Sequence, residues 1–370
     1  MSRPSETDDD APDQPSDEGH HFPCPSCGAD LRFEPTRGAL HCDFCGHEEE
    51  LAPDPAPQAI RELDFEAALS NRIPQMELEV ARTHRCPNCG AEVTFDTART
   101  AMECPFCATP VVTDPDPHQQ IRPRALLPFA LTEDQARRDM TAWLGGLWFA
   151  PNGLRRFARK GRRMSGVYLP YWTFDARTRS AYRGQRGRVH RTRRRGADGK
   201  TRTDMTIRWT RVSGTVARDF DDVLALASPT LPGKTVDAIE PWDLSALVPY
   251  SADYLAGFGA ESYRIGVEDG HRIARGKMDA VIARDVRLDI GGDRQRIDRI
   301  DTEIADVTFK HILLPLWIAA YTYRGRTFRV VINGHNGRVT GERPYSPWKI
   351  AFAVLVAVIV AGVFAYFSNG

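Results

Sequence analysis

The chain has no cysteine outside two short arrays, little lysine, and no uninterrupted apolar run long enough to cross a bilayer before residue 350. Each scarcity excludes something. All eight cysteines belong to one repeated pattern, so none is left for a disulfide framework or a thiol nucleophile. No H-E-x-x-H, no G-x-S-x-G and no paired-acid constellation occurs, which removes the common metalloprotease, serine-hydrolase and glycosidase signatures. Pro232-Gly233-Lys234-Thr235 imitates the end of a phosphate-binding loop, but Ser228 stands where its first glycine belongs, and there is no DEAD- or DExH-like box. Only six of the 49 basic residues are lysine, an arginine bias that fits a GC-rich bacterial genome.

The cysteines fall as Cys24-Pro-Ser-Cys27 with Cys42-Asp-Phe-Cys45, and as Cys86-Pro-Asn-Cys89 with Cys104-Pro-Phe-Cys107. Each array reads C-x2-C-x14-C-x2-C, a spacing that lets two tight turns present four thiolates tetrahedrally to one Zn2+. Spacing alone leaves iron open, because four cysteines can also hold it. A four-thiolate site has no open coordination position, so two structural zinc ions are expected and no catalytic metal. The arrays are an internal repeat offset by 62 residues, with Gly28 matching Gly90 and Phe33 matching Phe95. His41 and His47 are read as flanking or solvated, since four cysteines already complete the site.

The zero net charge hides segregation. Residues 1–18 hold seven carboxylates against Arg3, cannot bury enough apolar surface to order, and lack the basic start and apolar run of a signal peptide. Arg155, Arg156, Arg159, Lys160, Arg162 and Arg163 form one basic cluster. A second spans Arg183 to Arg202, includes Arg193, Arg194 and Arg195, and has Tyr182 and Trp209 nearby. These arginines are the candidate contacts for an anionic ligand, either nucleic acid or lipid headgroups; the alternative is a solvated hairpin around Gly196-Ala197-Asp198-Gly199.

Ile350 to Phe367 carries no charge and no proline. Eighteen helical residues reach roughly 27 Å, near the thickness of a hydrocarbon core. Trp348, Lys349 and Tyr366 stand where interfacial anchors belong, and Arg343 with Lys349 places residues 1–349 in the cytoplasm by the positive-inside rule. The expectation is a tail-anchored, single-pass protein of the bacterial inner membrane. Ala353, Ala357, Ala361 and Ala365 recur every four residues and could drive homodimerisation, though alanine is common in such spans.

The expected organisation is an acidic tail (1–20), ribbon 1 (21–50), a linker with a short helix over Ile60–Asn71 (51–83), ribbon 2 (84–113), a linker (114–123), an α+β module (124–346) and the anchor (348–367). Within the module, Leu126-Leu127-Pro128-Phe129 parallels Leu247-Val248-Pro249-Tyr250, each before a helix, the second over Ala252–Phe258. Tyr168-Leu169-Pro170-Tyr171-Trp172 likewise parallels Leu313-Leu314-Pro315-Leu316-Trp317, read as strand entries because proline favours a strand's first residue. Thr132 and Gln135 form a capping-box pair, and Lys277–Asp289 is amphipathic, with Met278, Val281, Ile282 and Val286 on one face. Turns are expected at Arg324-Gly325 and Asn336-Gly337, and His271, His311 and His335 lack partner spacing and read as structural or solvated. The fold class is α+β: two zinc ribbons, a duplicated α+β module with antiparallel sheet, and one transmembrane helix.

CPNCGAEVTFD and CPFCATPVV, then PRALLPFALT, GVYLPYWTFDA, RDFDDVL, FKHILLP and NGHNGRVTGERPYS, together resemble a family of uncharacterised bacterial zinc-ribbon membrane proteins. The similarity covers residues 84–350. Members often carry a label taken from primosomal protein N′ (replication factor Y), a superfamily II helicase. The resemblance implies metal binding at the ribbon cysteines, while the helicase motor is absent from this chain. The function expected is a non-catalytic, membrane-tethered adaptor that presents its ribbons on a flexible arm to an unidentified protein partner. The alternative is a tethered nucleic-acid-binding protein, and the third reading is an enzyme with an unrecognised site in the module.

Overall fold

The structure is a computed structural model that describes residues 22–51, 60–70, 72–74, 77–94, 102–107, 109–111, 116–148, 164–195, 201–323 and 326–368. The acidic tail, most of the 51–57 linker, Phe95, the cluster Arg155, Arg156, Arg159, Arg162 and Arg163, the Gly196–Gly199 turn and Arg324-Gly325 lie outside the described residues.

Ribbon 1 is a three-stranded antiparallel sheet of β1 (Arg32–Glu34), β2 (Ala39–His41) and β3 (Glu48–Glu50). Next, β4 (Leu63–Asp64) joins the edge of a distant long strand, and its Asp64 caps the five-residue α1 (Phe65–Leu69). The helix expected over Ile60–Asn71 is therefore only its central part, because Leu63 is recruited into the sheet. In ribbon 2, β5 (Leu78–Arg85) pairs with β6 (Glu92–Thr94), and β7 (Met102–Glu103) pairs with β8 (Pro110–Val111). The segment expected as a second linker instead contains β9 (Asp116–Ile121), antiparallel to β5.

The module opens with β10 (Ala125–Leu126) and α2 (Glu133–Gly146). The predicted box forms: Thr132 Oγ1 accepts from the Gln135 amide at 3.3 Å, and Gln135 Oε1 accepts from the Thr132 amide at 2.8 Å. Then come β11 (Ser165–Arg195, 31 residues) and β12 (Thr201–Leu226, 26 residues), followed by the short α3 (Gly233–Asp237). After β13 (Val248–Pro249) the expected helix over Ala252–Phe258 is a single 3-10 turn, Ala252–Leu255, before β14 (Gly259–Glu261). The long helix is α4 (Val267–Ile290), which leads into β15 (Arg294–Tyr323, 30 residues), β16 (Arg326–Asn333), β17 (Val339–Gly341) and α5 (Pro347–Ser368). Gly337, with φ of 74°, closes the predicted turn after β16.

The main sheet runs β13-β10-β15-β11-β14-β6-β5-β9, with β12 on β11, β4 and β16 on β15, and β17 on β16. It is mixed rather than antiparallel throughout, since β10 is parallel to β15 and β14 is parallel to β11. Tyr168–Trp172 and Leu313–Trp317 pair directly, Tyr168 with Pro315 and Pro170 with Leu313. Neither proline starts a strand. Each falls where the outer neighbour changes: Pro170 between β14 and β12, Pro315 between β10 and β16. A missing N–H costs least at such a handover.

Beyond this body, β12, β11 and β15 continue as a narrow ribbon; at about 3.3 Å per residue, β11 alone extends about 100 Å. Helix α4 covers one face. Gly270, Ala274, Met278, Ile282, Val286 and Ile290 are its buried positions, so the stripe repeats every four residues and Val281 lies beside it. Gly270 permits the approach, because a Cβ there would come within 2.4 Å of Trp172. The apolar contact ends at Ile290 and Ile297, and β15 starts opposite Gly187. Residues 188–195 and 201–208 continue as a two-stranded extension.

Candidate metal centres

In ribbon 1, Cys24 and Cys45 place their sulfurs 3.6 Å apart, and Cys27 and Cys42 3.5 Å apart. In ribbon 2 the corresponding pairs, Cys86 with Cys107 and Cys89 with Cys104, are separated by 3.5 Å and 3.6 Å. All four sulfurs of each set lie within 4.8 Å of one another. Tetrahedral Zn–S bonds of about 2.3 Å require sulfurs about 3.8 Å apart, so both clusters fit a metal ion of that size. The knuckles are built by backbone: the Gly28 amide donates to Cys24 O, Gly46 to Cys42 O and Gly90 to Cys86 O, each glycine at φ above 70°. His47 Nδ1 lies 3.3 Å from Ser26 Oγ and His41 faces Glu48, so neither is needed to complete the sulfur set.

The environment of the thiols differs within each cluster. Burial pushes Cys89 up to about 11. Burial opposes ionisation of Cys107 too, but hydrogen bonding with Thr109 and Asn88 outweighs it and brings that thiol down to about 6. Metal binding would displace the remaining protons, which couples occupancy to pH.

Both ribbons are packed into the body. Cys24, Leu31, Phe33, Leu40 and Cys42 share an apolar cluster with Leu126, Tyr168, Leu313 and Trp317. The Phe33 amide donates to Ala256 O, and the Phe33 ring lies 5.1 Å from Tyr254. Cys86, Val93, Cys104 and Phe106 join Val167, Leu169, Ile312 and Leu316 in a second cluster. Because side chains alternate along β11 and β15, ribbon 1 covers one face of the sheet and ribbon 2 the other. The flexible carriage expected for the ribbons gives way to docking, since strands of three residues cannot bury their own apolar faces.

Two charge clusters were not legible in the sequence. Lys310, nearly buried on β15, lies 3.0 Å from Glu62 Oε1 and 2.7 Å from Asp222 Oδ1. Burial disfavours its ammonium, but the hydrogen bonds to Asp222 and Glu62 outweigh this and raise its pKa. Desolvation also works against the Glu62 carboxylate, yet hydrogen bonds with Asp175, Thr308 and Lys310 hold it at about 2. Burial and the adjacent Glu62 push Asp175 up to about 7. Asp175, Asp221 and Asp222 gather at a β-bulge in β12, and Lys310 already supplies the counter-charge there. Glu261 is the second case: it accepts from Ser228 Oγ at 2.7 Å and from Thr230 Oγ1, and burial pushes it up to about 7.

Arg193, Arg194 and Arg195 lie in the extension, registered against Thr203, Arg202 and Thr201, far along β11 from the body. Tyr182 is buried and donates to Asp289, so its ring is not displayed for stacking, and the half-buried Trp209 has one face covered by the Arg296 guanidinium, 4.1 Å from the ring centre. His311 is buried against Trp172 and Tyr263, and burial lowers it to about 4. Helix α5 includes 21 residues, Pro347–Phe367, long and apolar enough to cross a membrane, with none of the window buried.

Fold and clusters together define a mostly sheet α+β protein with two four-cysteine ribbons and an apolar C-terminal helix. The chain is similar to "Uncharacterized protein YdjG" of Bacillus subtilis (strain 168), 25% identical over 339 residues that cover 89% of this chain and 92% of that protein. No protein-family profile and no solved structure matches the chain. The helicase label carried by members of the resembled family thus finds no support.

Proposed function

We propose that this chain is a membrane-anchored, non-catalytic interaction protein whose two structural Zn2+ ions fix the ribbons on the sheet and whose long β extension is offered to a protein partner. The observation that carries this reading is the two-stranded extension, 188–195 with 201–208, which reaches beyond the start of β15; past Val189, whose amide donates to Asp293 Oδ2 at 2.7 Å, no strand pairs with either outer edge among the described residues. An isolated two-stranded ribbon is marginal in water and presents unpaired backbone, so it is suited to completion by another chain. Met205 and Ile207 stand exposed on it. The anchor is α5, and Arg343 and Lys349 before it favour a cytoplasmic body, where thiolates stay reduced for zinc.

The module is also read as a duplication. The correspondence differs from the one the Leu126–Phe129 and Leu247–Tyr250 motifs suggest: with β13 and the 3-10 turn over Ala252–Leu255 set aside, β10, α2, β11 and β12 correspond in order to β14, α4, β15 and β16, and α2 and α4 begin 134 residues apart, at Glu133 and Val267. Each short strand lies parallel to the long strand of the other set.

Nucleic acid is the second reading, favoured by one observation. The extension from Arg188 to Arg208 holds Arg188, Arg191, Arg193, Arg194, Arg195, Lys200, Arg202 and Arg208 against Asp198 and Asp204. One experiment separates the two. Intact protein is recovered from mild detergent with and without nuclease, beside a variant in which residues 190–206 are replaced by an Asn-Gly turn. Nuclease-resistant protein partners that vanish in the shortened variant support the adaptor. Nucleic acid that vanishes in the same variant supports the rival, and capture unaffected by shortening overturns both.

A further inference from the structure

Lys349 lies in the first turn of α5, and its Nζ donates to the carbonyl of Trp148 at 3.1 Å. Trp148 directly follows Leu147, the C-cap of α2. The ammonium therefore sits on the carbonyl-rich end of α2, where unpaired backbone oxygens and the helix dipole favour a cation. Around this contact the surface is unusually aromatic. Trp148 is 72% exposed, Trp348 85% and Tyr345 57%, and the Arg343 guanidinium lies 5.4 Å from the Tyr345 ring centre.

A large indole left in water needs a reason, and here the neighbouring element supplies one. If α5 crosses a bilayer, its first turn stands at headgroup depth. A residue whose carbonyl is hydrogen-bonded to Lys349 stands at the same depth, although it belongs to the folded body and lies 201 residues earlier in the chain. Indole and phenol rings favour that layer because one part of each ring is apolar and the other donates a hydrogen bond.

We propose that the Trp148 end of α2 is a second membrane-contact site, binding the headgroup layer of the bilayer that α5 enters. This rests on reading α5 as a span and adds to it: the body is docked on the membrane at a defined face and does not swing from a tether. Trp148 and Trp348 would insert their rings at the ester level, while Lys349 and Arg343 would face anionic headgroups. The β extension, which leaves the body along β11 away from Ser165, is then held in a fixed orientation to the membrane plane.

The test uses the full chain in liposomes of phosphatidylcholine and phosphatidylglycerol, with and without lipids brominated near the headgroup, read by tryptophan fluorescence. Trp148→Phe should lower the bromine-quenchable fraction by about as much as Trp348→Phe does. If Trp348→Phe lowers it and Trp148→Phe leaves it unchanged, the docking proposal is overturned and the span stands. If neither substitution changes it, the reading of α5 as a span falls as well. Both rings are exposed, so loss of folding does not confuse the comparison.

Discussion

Phe106 and Phe44 occupy the same position in the two ribbons, yet Phe106 is fully buried and Phe44 is 84% exposed. The difference follows from which side of each ribbon docks. Ribbon 2 turns its second knuckle inward, toward Val167, Leu169 and Ile312, whereas ribbon 1 docks through Phe33 and Leu40. Phe106→Ala should therefore lower stability by about 3–5 kcal/mol, and Phe44→Ala should change it by less than about 0.5 kcal/mol. Urea unfolding in detergent reads both, and equal losses would contradict the docking geometry.

Lys310→Met should leave Glu62, Asp175 and Asp222 without their shared counter-charge. The expected loss is about 2–3 kcal/mol, less than for a fully buried pair because Glu62 is partly solvated. A Glu62→Gln, Lys310→Met double variant should recover part of it. A double-mutant cycle with no coupling would show that the contact contributes nothing.

Glu261 gives a pH dependence of defined sign. Its folded pKa, about 7, lies above the ordinary 4.5, so the folded state holds a proton that the unfolded state releases. Its contribution is fully present below about pH 4.5 and is lost as pH rises through 7. Glu261→Gln should remove this decline and stabilise the protein at pH 8 by an amount on the order of 3 kcal/mol. Asp175, also raised to about 7, keeps a residual slope in the variant. Unfolding free energies from pH 5 to 8 that fall equally steeply in both proteins would refute the assignment.

Metal analysis of the purified, reduced protein should give two zinc equivalents, and Cys45→Ser or Cys104→Ser should each remove one. The two losses differ in consequence. Cys104 lies in the apolar cluster beside Phe106, so its substitution should also destabilise the sheet, whereas Cys45 is exposed. Plasma emission with parallel thermal unfolding separates these effects; two equivalents retained in either variant would remove that cysteine from the ligand set.

What was legible in the sequence was local. The knuckles, the Thr132–Gln135 cap and the apolar run each depend on residues within a few turns of one another. What was not legible depends on distant partners. Leu63 and the 116–121 segment are short and polar-flanked, and they become strands only because β15 and β5 offer them an edge. Lys310 meets Glu62 across 248 residues of sequence, so no spacing rule could bring them together. Pro170 and Pro315 read as strand starts because the handover between outer neighbours, which makes an interior proline tolerable, exists only in the assembled sheet. The arginines of 183–202 pointed to a basic hairpin, but its reach beyond the sheet depends on where β15 begins.

The central claim, that the β extension engages a protein partner, is tested most directly by placing a photo-crosslinking amino acid at Ile207 in the full-length chain and irradiating cells. The account predicts a discrete, nuclease-resistant protein adduct from Ile207 that is missing when the same group replaces Leu288, which is exposed on α4. Adducts with nucleic acid alone, or the same adducts from both positions, would contradict it.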